Sequence, residues 1–297
     1  MSLTPETHIF KTVTDCDLKI DVYRSAHAPD PAPVIMWLHG GALINGRRKD
    51  PFPWQVELYL NHGYTVASPD YRLAPETKLP QIIQDLQDAF RWLRVEGPDL
   101  LSIDPNRVAV AGSSAGGYLA LMAGFCLDPL PRAIISFYGY GDIIGDWYSK
   151  PDPFYCNSQP LVSQAESGWP SDGHTTTKPY PERGLDKFYL YCRQTGLWPE
   201  AVTNHDPHTQ APFFTPYCPL QNVTDAYPPT CLLHGTDDTD VPYQQSELMA
   251  QALTDHNVDH KFITMNGKGH CFDANIDAPM VKEAFDQVLA FLDKHLS

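Results

Sequence analysis

RVAVAGSSAGGY, residues 107–118, is the stretch on which the fold of this chain turns. Val108 to Ala111 form a short apolar run suited to a strand buried on both faces of a sheet; a Gly-x-Ser-x-Gly turn and a small-residue helix start follow without a break. A sharp strand-to-helix turn strains the backbone at its central residue, and side chains two residues to either side would collide. Gly112 and Gly116 therefore flank Ser114. The Ser114 hydroxyl is then held clear of the sheet as a candidate nucleophile. The helix behind it aims unpaired N–H groups and a partial positive charge at the place where a substrate oxyanion would form, with the N–H of Ala115 as the natural donor.

A second constellation precedes it. Val34 to Leu38 is another continuous apolar run, and it leads directly into His39, Gly40, Gly41 and Ala42, where missing side chains let backbone N–H groups face a ligand. A tetrahedral intermediate needs two or three preorganised donors, and Gly41 and Ala42 supply the remaining ones.

Strand and helix patterns alternate around these two motifs. His8 to Val13 and Leu18 to Ser25 alternate as an antiparallel pair of strands, and Tyr64 to Pro69 and Ala133 to Phe137 read as buried strands. Phe52 to Asn61 and Pro80 to Glu96 carry helical spacing. The order implies an α/β fold, a mostly parallel, doubly wound sheet of about eight strands. After residue 140 the pattern breaks. Residues 140–217 crowd prolines with aromatics such as Trp147, Tyr148, Phe154, Tyr155, Trp169, Tyr180, Phe188, Tyr189 and Trp198, too many for a linker. The expected organisation is a core of residues 1–139 and 218–297 with 140–217 inserted as a cap that supplies an apolar acyl or aryl pocket. His205 and His208 form an H-x-x-H pair inside it, without a further ligand pattern to make a metal site.

The alternation resumes at Thr230 to Leu233, followed by HGTDDTDVP, a helix from Pro242 to about Asp255, the strand His260 to Met265, and GKGHCF, which puts His270 on a glycine-flanked loop. An acid belongs in the first of these loops, where Asp237, Asp238 and Asp240 are the candidates. Nucleophile, acid and base then stand in the order Ser114, carboxylate, His270.

On these blocks, HGGA at 39–42, DYRLAPE at 70–76, GSSAGG at 112–117 and GKGH at 267–270, the chain resembles the α/β hydrolases of the esterase and lipase group, acetyl-esterase-like and hormone-sensitive-lipase-like carboxylesterases. It departs from the usual HGGG and GDSAGG, and HGTDDTDVP is closer to the HG-x-x-D-x-x-V-P of peptidase-like and acetyl-esterase-like hydrolases. That alignment places the acid on Asp238. The resemblance implies a serine carboxylesterase hydrolysing short-chain, acetyl-type esters through an acyl-enzyme, with Ser114, Asp238 and His270 as triad and Gly41, Ala42 and Ala115 as oxyanion hole. His39, Gly40, Gly112 and Gly116 support the motifs. It also implies no cofactor, and Asp70 and Asp85 as salt-bridged structural carboxylates. An amidase or lactonase of arylformamidase type would use the same triad. A prolyl-oligopeptidase-type peptidase would resemble the chain only in its catalytic domain. A non-catalytic binding protein on this scaffold commonly lacks the histidine that His270 supplies.

Composition narrows the partners. A net charge of −15 and a pI near 5.1 disfavour nucleic-acid phosphates and anionic membranes, leaving a small-molecule ester as the expected partner. A homodimer is compatible with the pattern, since hydrolases of this kind pair through cap or edge strand. Seven cysteines without a C-x-x-C pair read as mostly reduced, with Cys126 and Cys231 in the core. No basic, apolar leader is visible, so the expected location is cytoplasmic, and the sequon at Asn222 would matter only after secretion.

Overall fold

The apolar runs hydrogen-bond into one eight-stranded sheet in a computed structural model that describes residues 3–14, 16–25, 28–169, 174–178, 182 and 187–297. The strands are β1 (Glu6–Val13), β2 (Cys16–Tyr23), β3 (Ala32–Leu38), β4 (Thr65–Pro69), β5 (Ile103–Ser113), β6 (Ala133–Phe137), β7 (Thr230–Gly235) and β8 (His260–Met265). Their spatial order is β1-β2-β4-β3-β5-β6-β7-β8, with β2 antiparallel to both neighbours and every pair from β4 to β8 parallel. The expected mostly parallel, doubly wound sheet is what forms.

The parallel strands are apolar throughout because both faces are covered. In β3, Val34, Met36 and Leu38 join one apolar cluster while Ile35 and Trp37 join the other, and none of the five is more than 3% exposed. Burying each such side chain stabilises the fold by roughly 1.5–3 kcal/mol. Before β6 come α1 (Pro53–Asn61), α2 (Leu79–Val95), α3 (Gly97–Leu101) and α4 (Ala115–Cys126). Between β6 and β7 run α5 (Asp146–Ser149), α6 (Pro153–Ser158), α7 (Gln164–Ser167), α8 (Phe188–Thr195), α9 (Trp198–Thr203) and α10 (Pro207–Phe214). The chain closes with α11 (Gln244–Asp255) and α12 (Pro279–Leu296). Helices α2, α4 and α11 pack on one face of the sheet, and α1 and α12 on the other.

Several elements differ in detail from the sequence pattern. Strand β5 begins at Ile103, earlier than its apolar run, because Ile103 pairs with Ala32 across a register shift. Pro242 lies ahead of α11, its carbonyl accepting from the Gln245 N–H, so the helix starts two residues later than expected. Cys231 is buried, but Cys126, at the end of α4, is only half-buried; all seven cysteines are free thiols. Asp70 and Asp85 are paired as expected: Arg48 Nη1 lies 2.9 Å from Asp70, and Arg72 Nε 2.7 Å and Lys11 Nζ 2.6 Å from Asp85.

The β6–β7 insertion packs its aromatics into the same apolar cluster as α2, α4 and α11. Phe188, Trp198 and Phe214 are fully buried, and Trp198 meets the Tyr148 ring edge-on at 4.0 Å. Arg193 of α8 is 1% exposed, lying over the rings of Trp147, Tyr148, Tyr155 and Tyr189, with Asp152 and Asp240 as its carboxylate partners. Tyr180 lies outside the described residues. His205 stacks on Phe213 and turns Nδ1 to the Thr203 carbonyl, while His208 Nε2 faces the Ser149 carbonyl, so both rings serve local packing. The Asn222 side-chain amide donates to the carbonyls of Thr215 and Cys218.

Candidate active site

Parallel strands β3, β5, β7 and β8 have their carboxyl ends on the same side of the sheet, where open parallel sheets place their ligands. Ser114 sits there between β5 and α4 with φ 56° and ψ −118°, a strained conformation for a residue with a side chain. The flanking glycines allow it. A Cβ on Gly116 would stand 2.0 Å from the Leu38 carbonyl oxygen, and one on Gly112 2.4 Å from that of Gly116.

The loop after β3 is shaped by where its carbonyls are held. The Gly41 carbonyl accepts from the N–H groups of Ile44 at 2.9 Å and Asn45 at 2.8 Å; the Gly40 carbonyl accepts from His39 Nδ1 at 2.8 Å. A trans peptide points its N–H away from its carbonyl, so the N–H groups of Ala42 and Gly41 are turned to the opposite side. Together with the N–H of Ala115, they have no acceptor among the described residues. His39 itself is buried and stacked on Tyr71 at 4.0 Å; burial pulls its pKa down to about 4, which keeps the ring neutral with its proton free to serve the Gly40 carbonyl. The insertion reaches this loop too, because Trp198 Nε1 donates to the Ala42 carbonyl at 2.9 Å.

His270 follows β8, and its Nδ1 lies 2.7 Å from Asp238 Oδ2. Of the three carboxylates left open by the sequence, Asp238 therefore takes the hydrogen bond to Nδ1. The Asp237 carboxylate instead accepts from the Thr236 hydroxyl, and Asp240 Oδ2 stands 3.5 Å from the other ring nitrogen, Nε2. Burial acts to raise the Asp238 pKa, yet donors overwhelm it: His234 Nε2 at 3.3 Å, His270, and the N–H groups of Asp240 at 2.8 Å and Val241 at 3.0 Å hold it well below the carboxylate range. For His270, burial acts to lower the pKa, but the Asp238 hydrogen bond and the charges of Asp240, Asp238 and Asp273 leave it raised. No hydrogen bond joins Ser114 Oγ to His270 among the described residues; such contacts commonly tighten only when substrate is bound.

Gly40, Gly41, Ala42, Ser113, Ser114, His270 and Cys271 line a cavity of about 250 Å³, completed by Asn45, Tyr138, Tyr189 and Asp240. Of the site residues expected from the sequence, Ser114, His270, Gly40, Gly41 and Ala42 line this cavity, and Asp238 stands behind His270 through the hydrogen bond to Nδ1; Ala115, His39, Gly112 and Gly116 are not part of its lining. From the insertion Tyr189 reaches this lining, while other aromatics among the described residues turn inward around Arg193 and Trp198.

Two family models match different parts of the chain, BD-FAE over residues 20–146 and the prolyl oligopeptidase family over residues 187–297. A solved α/β hydrolase superfamily protein from Enterococcus faecalis superposes with a TM-score of 0.74 at 22% identity, covering 99% of this chain and 100% of its own. The chain has the α/β-hydrolase fold. A protein of unknown function from Staphylococcus aureus superposes on it with a TM-score of 0.79 at 23% identity, covering 98% of this chain and 100% of its own. A Thermogutta terrifontis esterase does so with a TM-score of 0.66 at 21% identity, covering 98% and 92%. Among curated proteins, the non-reducing polyketide synthase Preu6 of Preussia isomera is 28% identical over 96% of this chain, and pkbA of Emericella nidulans 27% identical over 95%. The chain spans only 14% of the length of either synthase.

Three groups in the candidate site escaped the sequence reading. His234 is fully buried beneath Asp238, held by Ser246 Oγ on Nδ1 and the Val241 carbonyl on Nε2; its place in the HG pair of HGTDDTDVP was the available signal. Tyr138 packs its ring 4.5 Å from that of His270 and donates to buried Asp273, which also accepts from Gln55 Nε2. No local pattern links positions 55, 138 and 273. Asp240, weighed only as an alternative acid, lines the cavity itself.

Proposed function

We propose that this chain is a serine carboxylesterase acting on short-chain esters. The observation that carries the reading is the convergence on one cavity of a strained serine, a histidine hydrogen-bonded to a buried carboxylate, and backbone N–H groups without acceptors. In this mechanism His270 takes the Ser114 proton as Oγ attacks the ester carbonyl, then returns it to the leaving alcohol. Asp238 holds the ring through Nδ1 and stabilises the imidazolium. The N–H groups of Gly41, Ala42 and Ala115 receive the oxyanion, and removal of one such donor typically costs about 2.7–4 kcal/mol of barrier. Water, activated by the same histidine, releases the acid.

A cavity of about 250 Å³ is small beside common ligand pockets, which favours acetyl and propionyl over long acyl groups. The β6–β7 insertion is read as the cap that confines it. The test is hydrolysis of p-nitrophenyl esters from acetate to decanoate by wild type and Ser114→Ala. Activity that falls with chain length and vanishes in the variant supports the reading. Activity unchanged in the variant refutes it. Amides, lactones and esters of polyketide acids belong in the same panel, the last because of the likeness to a segment of polyketide synthases.

A further inference from the structure

We infer that Asp240 makes the leaving-alcohol side of this cavity a subsite for a protonated amine. The inference rests on the serine-esterase reading for one point only, namely which side of the cavity is the leaving side. In that reaction the group beside His270 Nε2 at the second proton transfer is the departing oxygen, because Nε2 delivers its proton there. Asp240 Oδ2 stands 3.5 Å from Nε2, so the carboxylate borders the alcohol and not the acyl group.

The two oxygens of Asp240 are used differently. Oδ1 accepts from Tyr155 Oη at 2.7 Å, Tyr189 Oη at 2.6 Å and Arg193 Nη1 at 2.9 Å. These donors fix the carboxylate against the insertion and leave Oδ2 turned toward the cavity that Asp240 lines. Arg193 does not cancel its charge: the one guanidinium is shared by Asp152 and Asp240, two carboxylates against one cation, and at 1% exposure it does not reach the cavity. Among the described residues no lysine or arginine lines the cavity, and its other ionisable groups are His270, Cys271 and the phenols of Tyr138 and Tyr189. An aromatic wall beside a fixed carboxylate is a favourable surrounding for an ammonium group and an unfavourable one for an anion. The chain's net charge of −15 biases the approach of ligands the same way.

The substrate class is an ester whose alcohol carries a protonated amine a short arm from the ester oxygen. Two acetates test it, 2-(dimethylamino)ethyl acetate and 3-methylbutyl acetate, nearly identical in shape and differing in one charged atom. Comparing wild type with Asp240→Asn cancels their unequal intrinsic reactivity. The ratio of kcat/KM for the charged over the neutral ester should fall roughly ten-fold or more in Asp240→Asn, as expected for loss of a hydrogen bond to a charged group. Tyr155→Phe removes one donor to Oδ1 without touching the charge, and it should keep the wild-type ratio. The same ratio in wild type and Asp240→Asn overturns the inference, as does an equal fall in Tyr155→Phe, which would assign the effect to the anchoring of the insertion.

Calorimetry separates this inference from the reading beneath it. In Ser114→Ala, which leaves binding but not acyl transfer, the charged ester should bind more tightly than the neutral one, and the preference should disappear in Ser114→Ala/Asp240→Asn. Equal binding of both esters refutes the amine subsite whether or not the wild type hydrolyses them. Absence of hydrolysis by the wild type with the binding preference intact refutes the esterase reading alone.

Discussion

Trp198→Phe tests whether the insertion sets the geometry of the candidate oxyanion loop. The indole is fully buried and its Nε1–H donates to the Ala42 carbonyl at 2.9 Å. Ala42 and Leu43 stand at φ 54° and 62°, left-handed conformations in residues with side chains. Each such residue costs on the order of 1–2 kcal/mol, so the loop keeps its shape only while its carbonyls are held. Phenylalanine retains a ring against Tyr148 but leaves the Ala42 carbonyl without its buried donor. Orphaning it destabilises the fold by about 1–3 kcal/mol. Relaxation of Ala42 would displace its N–H from the oxyanion position, and partial loss of one donor corresponds to a fall in kcat of roughly ten- to a hundred-fold. The assay pairs kcat and KM on p-nitrophenyl acetate with urea denaturation. Phe188→Leu, fully buried elsewhere in the insertion, is the control, because it destabilises without touching Ala42. The expected pattern is a similar loss of stability in both variants with kcat reduced only in Trp198→Phe. A kcat within about two-fold of wild type, alongside the stability loss, would refute the positioning role.

Other consequences follow from the charges. His270 acts as base only when neutral and its pKa is raised, so the acid limb of kcat/KM should lie above the usual histidine value of about 6.5. Asp240→Asn removes one of the raising charges and should move that limb to lower pH; a limb that stays or moves up contradicts the assignment. Arg193→Met leaves the Asp152 and Asp240 carboxylates facing one another without their cation, and should lower stability in urea by about 3–5 kcal/mol, whereas a neutral or stabilising result would show that the aromatic surround suffices without the guanidinium. Gly116→Ala would push a Cβ to 2.0 Å from the Leu38 carbonyl, and should yield either insoluble protein or one whose Ser114 no longer reacts.

How much of this was legible depended on whether an element is specified locally. Strands β6 and β8 fall on the residues read from the sequence, and β3, β4, β5 and β7 contain or nearly match the apolar runs, because burial on both faces leaves an unbroken apolar signal. The turn at Ser114 was equally plain, since glycines at 112 and 116 are dictated by atoms within a few residues or on the next strand. The insertion was not readable. Its helices are four to eight residues long, and its centre is an arginine balanced by carboxylates at 152 and 240, which no periodicity connects. For the same reason the packing of its aromatics around Arg193 and Trp198 was not foreseen. HGTDDTDVP offered three carboxylates, and its resemblance to HG-x-x-D-x-x-V-P singled out Asp238, the one that hydrogen-bonds to Nδ1 while the Asp240 and Val241 N–H groups hold its other oxygen.

The most direct test of the central claim is covalent labelling of the wild-type protein by a fluorophosphonate, read by intact mass and peptide mapping. The account predicts a single adduct on Ser114, formed much more slowly in His270→Ala and absent in Ser114→Ala. An adduct on another residue, or equal labelling of Ser114→Ala, would contradict it.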